Sequence, residues 1–258
     1  MRPLVMGVLN VTPDSFSDGG LWLDAGGAVA HGLRMVEEGA HVIDVGGEST
    51  RPGADPVDAE EELRRVLPVI EALAPHTRVS IDTRKAEVAE AALAAGASLL
   101  NDVSASLAPV AKAAGAGWVA MHMQGEPRTM QQDPTYDDVV ADVRAFLVER
   151  AQSAGVDEVW IDPGIGFGKT MEHNLTLLSH LDALVGTGYP VVVGTSRKSF
   201  LGRLTGGAPA ADRVEASVAT AAWAMSRGAA MVRVHDVAPT VAAARLLEGR
   251  SGPSSGVA

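Results

Sequence analysis

Eight short apolar runs recur along the chain, and each ends in a polar residue able to bind or react. Residues 4–9 end at Asn10, 41–45 contain Asp44 and lead to Glu48, and 79–81 end at Asp82. Residues 98–100 end at Asn101, 118–121 at His122 and 159–161 at Asp162. Residues 191–193 lead into Thr195–Lys198, and 231–234 carry Arg233 and lead to His235. Unbroken apolar interiors mark strands covered on both faces. Between the runs, helical spacing predicts helices over 24–38, 58–73, 85–94, 109–114, 136–154, 172–184, 212–227 and 239–248. Strands alternating with helices imply parallel pairing through right-handed crossovers. Eight such units predict an α/β fold, a single-domain (β/α)8 TIM barrel over residues 1–250. In that fold, polar groups at the C-terminal strand ends are where chemistry sits. The Gly/Ser-rich residues 251–258 predict a disordered tail.

Composition narrows the class. At 258 residues the chain suits one barrel and buries enough surface to need no staples. The absence of cysteine excludes disulfides, thiolate metal sites and a Cys nucleophile. No apolar run approaches the ~18 residues of a membrane span, and polar residues from Asn10 onward interrupt any leader core. These features predict a cytoplasmic enzyme with no membrane partner. A net charge of −11 argues against nucleic acid as a partner. Five groups that can carry positive charge, Arg51, Arg197, Lys198, Arg233 and His235, nevertheless fall at strand ends, where they can converge on an anion.

Three constellations carry the chemistry. Asp82, Asn101 and Asp162 end strands three, four and six, and together suit a flat heterocycle with amino and lactam groups. Oxygen ligands for Mg2+ are the competing explanation. Arg233 and His235 fall on one side of the last strand, as alternation requires, and suit a phosphate or diphosphate that Asn10 can also reach. Of the adjacent cations Arg197 and Lys198, the compact lysine is the better pocket residue, and the arginine suits a salt bridge or a place over a neighbouring ring. The run from Gly164 to Thr170 imitates a nucleotide loop, but Pro163 stands where that loop requires glycine. It reads instead as a Gly-rich loop placing Phe167 near the pocket. Residues 11–23 and 46–56 mix glycine, proline and polar side chains, a lid-like composition.

Residues 6–20 (MGVLNVTPDSFSDGG) and 44–53 (DVGGESTRPG) resemble the opening signatures of the dihydropteroate synthase family. So do 80–83 (SIDT), 101–104 (NDVS), 121–123 (MHM), 162–169 (DPGIGFGK), 194–199 (GTSRKS) and 233–236 (RVHD). The resemblance runs to about residue 248 and implies a pterin-binding barrel. Such a barrel joins (7,8-dihydropterin-6-yl)methyl diphosphate to 4-aminobenzoate in folate biosynthesis and is a target of sulfonamides. By motif position it implies that Asp82, Asn101, Asp162 and Lys198 hold the pterin, with Met121 and Phe167 lining its slot. Arg233, Val234 and His235 would receive the diphosphate, with Asn10 as the Mg2+ ligand. Thr50, Arg51, Pro52 and Ser199 would frame the aminobenzoate, and Asp18 and Arg51 would act from the two lids. The family's dimers suggest a homodimer, through small-residue faces at 216–224 and 241–244. Two departures stand out. The chain begins three residues before the first strand, which predicts a more open barrel floor. Val103-Ser104-Ala105-Ser106 also stands where the family shows Val-Ser-Gly-Gly, which puts that loop's shape in question. A corrinoid methyltransferase would share the pocket without the two lid signatures, and a non-catalytic paralogue would lack Asp18, Arg51 or Arg233. A Schiff-base aldolase needs its lysine on a strand, and Lys198 lies beyond one.

Overall fold

The computed structural model describes residues 3–12, 21–48, 56–126 and 129–249. Eight parallel strands form one sheet: β1 (Leu4–Asn10), β2 (Val42–Gly46), β3 (Arg78–Asp82), β4 (Leu99–Asp102), β5 (Gly117–Met121), β6 (Val159–Asp162), β7 (Val192–Val193) and β8 (Met231–Val234). The pairing order is β6-β5-β4-β3-β2-β1-β8-β7, and a parallel bridge between Ile161 and Val191 joins the two ends into a barrel. The predicted (β/α)8 barrel is therefore the fold.

Helices α1 (Leu21–Glu37), α2 (Ala59–Leu73), α3 (Ala86–Ala94), α4 (Ala108–Ala114) and α5 (Val139–Ser153) follow the first five strands. After them come α6 (Met171–Ser179), α7 (Asp182–Val185), α8 (Ser199–Leu204), α9 (Val214–Ser226) and α10 (Val237–Gly249). Several starts follow from capping. Asp58 accepts from the Glu61 amide, Asp138 from the Val140 and Ala141 amides, and Thr170 with His173 forms a reciprocal box. The single helix expected over 172–184 is two. His180, at φ −109° and ψ 33°, leaves the helical region and ends α6. The short α8 had no expectation in the sequence.

Alternation along the strands sorts the core into two layers. The larger lies between sheet and helices and includes Ile43, Ile81, Leu100, Trp118, Ile161 and Val234. The smaller fills the barrel with one residue from each of seven strands: Met6, Val42, Leu99, Val119, Trp160, Val192 and Met231. Continuing each alternation toward the C-terminal end brings Asn10, Asp44, Asp82, Asn101, Met121, Asp162 and Arg233 inward. The polar mouth is thus a direct continuation of the apolar plug. At the other end, Arg78 pairs with Glu158 at 2.7 Å and Glu158 accepts from the Trp160 indole at 2.7 Å. These groups lie at the N-terminal end of the barrel.

The loop after β4 is folded around one carboxylate. Asp102 points out of the barrel and accepts from the amides of Ser104, Ser106 and Leu107, the Ser104 hydroxyl and the Trp118 indole, at 2.6–3.1 Å. Ala105 holds φ +50° inside this turn, a left-handed conformation that costs an L-residue roughly 1–2 kcal/mol. Alanine therefore occupies a left-handed conformation where the family pattern has glycine.

Candidate active site

Five of the expected residues meet at the C-terminal mouth. Arg233 donates from Nε to Asp44 at 2.6 Å and from Nη2 to Asp82 at 2.7 Å. Asn101 Nδ2 donates to the same Asp44 oxygen at 3.0 Å. Lys198 feels the charges of Asp162, Arg233 and Asp82, and its ammonium lies 4.7 Å from the Phe167 ring centroid. Its Nζ also donates to the Ile165 carbonyl of the Gly-rich loop. Asp162 accepts from the Gly164 amide at 2.7 Å, so strand end and loop are tied together.

The electrostatics follow from burial of charges of both signs. Burial pushes the Asp82 carboxyl up to about 7; Arg233 opposes the shift, while Asp44, Glu62 and Asp102 add to it. Burial likewise raises Asp162 against the pull of Lys198. Lys198 is lowered to about 8, by burial first, with Asp162 opposing and Arg233 reinforcing. Burial alone would lower Arg233, but Asp44 and Asp82 outweigh it and hold the guanidinium charged. A site with groups titrating near neutrality on both sides of zero charge is what acid–base and ionic chemistry needs.

The Gly-rich segment wraps the mouth from the β6 side. Gly164 has φ +64°, and a Cβ there would stand 1.8 Å from the His122 carbonyl oxygen. Gly168, at φ +59°, would place one 2.3 Å from the Gln124 carbonyl oxygen. Only glycine lets the two backbones approach this closely. Met121, at the end of β5, has its Cγ 3.4 Å from the same point at Gly164, and with Phe167 it lines the loop side of the site. Beneath the loop, Lys169 is buried against His122 Nδ1 (3.0 Å), the Phe167 carbonyl (3.0 Å) and the His122 carbonyl (3.3 Å). Burial lowers the ammonium to about 7, with Asp162 opposing and Lys198 reinforcing, and burial first, then Lys169, lowers the His122 imidazole to about 3.

The remaining expected residues divide clearly. His235 follows β8, and its backbone amide and ring Nδ1 both meet the Ser196 hydroxyl at 3.0–3.1 Å. Val234 turns its side chain into the outer core, so only its backbone can meet a ligand. Arg197 pairs with Asp236 at 2.5 Å, outside the pocket, as the choice between the two cations anticipated. Ser199 opens α8 and is exposed. Asp18, Thr50, Arg51 and Pro52 lie outside the described residues. Asn10 ends β1; a Cβ at neighbouring Gly46 would lie 3.7 Å from its Oδ1 and 3.6 Å from Asp82 Cβ. Among the described residues no group of three His, Cys, Asp or Glu side chains could hold a metal. Sequence reasoning gave no role to Asp44, to the buried His122–Lys169 pair, or to Lys85, which bridges Glu48 and Glu62 behind β2. A charged residue inside an apolar strand was the available signal for Asp44.

Residues 6–235 match the family profile of pterin binding enzymes. The chain belongs to that family, and within it to the dihydropteroate synthases. It is 50% identical to the dihydropteroate synthase of Mycobacterium leprae over 94% of its own length and 92% of the relative's. The solved Xanthomonas albilineans dihydropteroate synthase with 4-aminobenzoic acid superposes with a TM-score of 0.91 at 50% identity, covering 97% of this chain and 94% of that one. The same organism's enzyme in complex with 7,8-dihydropteroate superposes at 0.87 with 47% identity and the same coverage.

Proposed function

We propose that this chain joins (7,8-dihydropterin-6-yl)methyl diphosphate to 4-aminobenzoate, releasing 7,8-dihydropteroate and diphosphate, with the roles assigned as follows. The observation that carries the reading is the meeting of Asp82, Asn101, Asp162, Lys198 and Arg233 at one barrel mouth, in a fold whose solved relatives hold 4-aminobenzoic acid and 7,8-dihydropteroate. Asp82, Asn101 and Asp162 offer oxygens to the N–H edge of the pterin, and Lys198 donates to it. Met121 and Phe167 close the faces of its slot.

The reaction breaks the C–O bond to the diphosphate and forms a C–N bond to the arylamine, whose proton leaves to solvent. Arg233 and His235 meet the departing anion; two of the five Arg233 donors are committed to Asp44 and Asp82, and three remain for other partners. The carbon left behind is electron-poor and conjugated with the pterin ring, and an ionised Asp82 at that ring stabilises the developing positive charge electrostatically. An arylamine needs no strong base to attack such a carbon. By the family resemblance Thr50, Arg51, Pro52 and Ser199 are assigned to the aminobenzoate, and Asp18 and Arg51 to the catalytic step.

A divalent ion fits the donor set as a substrate-borne one. Asn10 supplies a single amide oxygen, the arrangement in which Mg2+ keeps waters and takes its other ligands from phosphates. Bound there, Mg2+ would neutralise charge on the leaving diphosphate. No helix of the described residues is long and apolar enough to cross a membrane. A cytoplasmic location and a homodimer complete the reading, the latter supported by Trp223 on α9 and Leu246 on α10, which are 45% and 75% exposed. Diphosphate release by the purified protein, with each substrate omitted in turn, tests the whole reading. Release must require both substrates; release without 4-aminobenzoate, or none with both, overturns it.

A further inference from the structure

Asp44 has no part in the roles above. It lies inside the barrel one inward position below Gly46, and its side chain is completely buried. Oδ2 accepts from both Arg233 Nε and Asn101 Nδ2, at 2.6 and 3.0 Å, and Oδ1 is buried without a hydrogen-bond partner. A carboxylate can only accept, so the Asn101 amide must turn its nitrogen to Asp44 and leave its oxygen for the other side. Asp82 is in the same position: Oδ2 is committed to Arg233, and Oδ1 is buried without a partner. On Asp162, one oxygen takes the Gly164 amide and the other remains.

We infer that Asp44 is a positioning residue that sets the donor–acceptor polarity of the pocket, fixing Asn101 as an acceptor and holding Arg233 in register with it. Three acceptor oxygens, from Asp82, Asn101 and Asp162, then face one ligand edge, and that edge must carry N–H groups. Were the Asn101 amide reversed, its NH2 would oppose those donors and a buried polar group would go unmatched. Asp44 would thus select a pterin over a heterocycle with ring acceptors at the same places. This deepens the proposed function and rests on it.

Two variants test the inference. Asp44→Asn keeps an oxygen for both donors but removes the charge that fixes the Asn101 amide. Binding of the pterin diphosphate, measured by calorimetry, should weaken about 10- to 100-fold, as expected for loss of one charge-assisted contact. The KM for 4-aminobenzoate at saturating pterin should stay within about threefold of wild type. Wild-type pterin affinity, or equal weakening of both substrates, overturns the inference. Asn101→Asp leaves position 44 untouched. Its carboxyl can donate to Asp44 only when protonated, so its pterin affinity relative to wild type should climb at least about tenfold between about pH 8 and about pH 5.5. Asp44, Asp82, Asp162, Glu62, Arg233 and Lys198 surround both proteins alike, so the ratio removes their own titration. A flat ratio refutes the donor requirement. If the wild-type protein itself binds no pterin diphosphate, the proposed function fails instead.

Discussion

Gly164 and Gly115 offer a matched pair of substitutions. Both have φ near +65°, so alanine at either incurs the same left-handed strain, roughly 1–2 kcal/mol. Their surroundings differ. A Cβ at Gly115 meets nothing within 4 Å, whereas at Gly164 it would stand 1.8 Å from the His122 carbonyl oxygen, which is backbone. Real Cβ contacts essentially never fall below 3.0 Å, so the two segments must separate by at least about 1.2 Å. The segment that moves carries the Gly164 amide bound to Asp162 and the Ile165 carbonyl bound to Lys198. A misplacement of about 1 Å in positioning groups costs on the order of 100-fold in rate. Gly164→Ala should therefore lower kcat/KM for the pterin substrate by about 100-fold or more, and lower stability by about 3 kcal/mol, strain and overpacking together. Gly115→Ala should cost about 1 kcal/mol and leave turnover unchanged. Urea denaturation and diphosphate release measure the two quantities on the same preparations. If the two variants behave alike, the Gly-rich loop does not set the site's geometry and the reasoning fails.

Other outcomes follow from the same structure. Lys198→Ala should reduce turnover by about 100-fold or more, as loss of a preorganised charge does, and near wild-type steady-state rates would remove Lys198 from the site. In the unmodified enzyme, kcat/KM should rise as Asp82 ionises near 7 and fall as Lys198 loses its proton near 8, giving a narrow bell; a profile flat from pH 6 to 9 contradicts the assignment. Lys169 binds a proton less readily folded, at about 7, than unfolded, at 10.5, so the unfolded state carries the extra proton in that interval and stability rises with pH across it. Lys169→Met should flatten this rise in urea midpoints measured between about pH 7 and 10; an unchanged slope would mean the ammonium is not buried as described. Asp102→Ala strands several buried N–H donors around the β4 turn and should cost about 3 kcal/mol or more, read from the denaturation midpoint.

The barrel was legible because its signal is repeated. Eight apolar runs at regular spacing leave one reading of strand order, and period-two alternation then carries Asp82, Asn101, Asp162 and Arg233 to the mouth without any knowledge of contacts. What escaped is information that only proximity supplies. Asp44 and Arg233 are 189 residues apart, and no local pattern says that one carboxylate serves both Arg233 and Asn101. The run around Gly164 lacks the first glycine of a phosphate cradle, where Pro163 stands. Its glycines instead let the backbone ride against the end of β5, and that requirement appears only once His122 and Gln124 are in place. Lys169 looked like the last letter of a failed nucleotide loop, yet it is the buried amine that holds that loop to His122 and Phe167. The common thread is that the residues expected to touch ligand were readable one strand end at a time. The residues that aim them lie one layer deeper, and their meaning is set by partners from other strands. Variants of that deeper layer should consequently alter affinity and selectivity while leaving every ligand-facing residue in place.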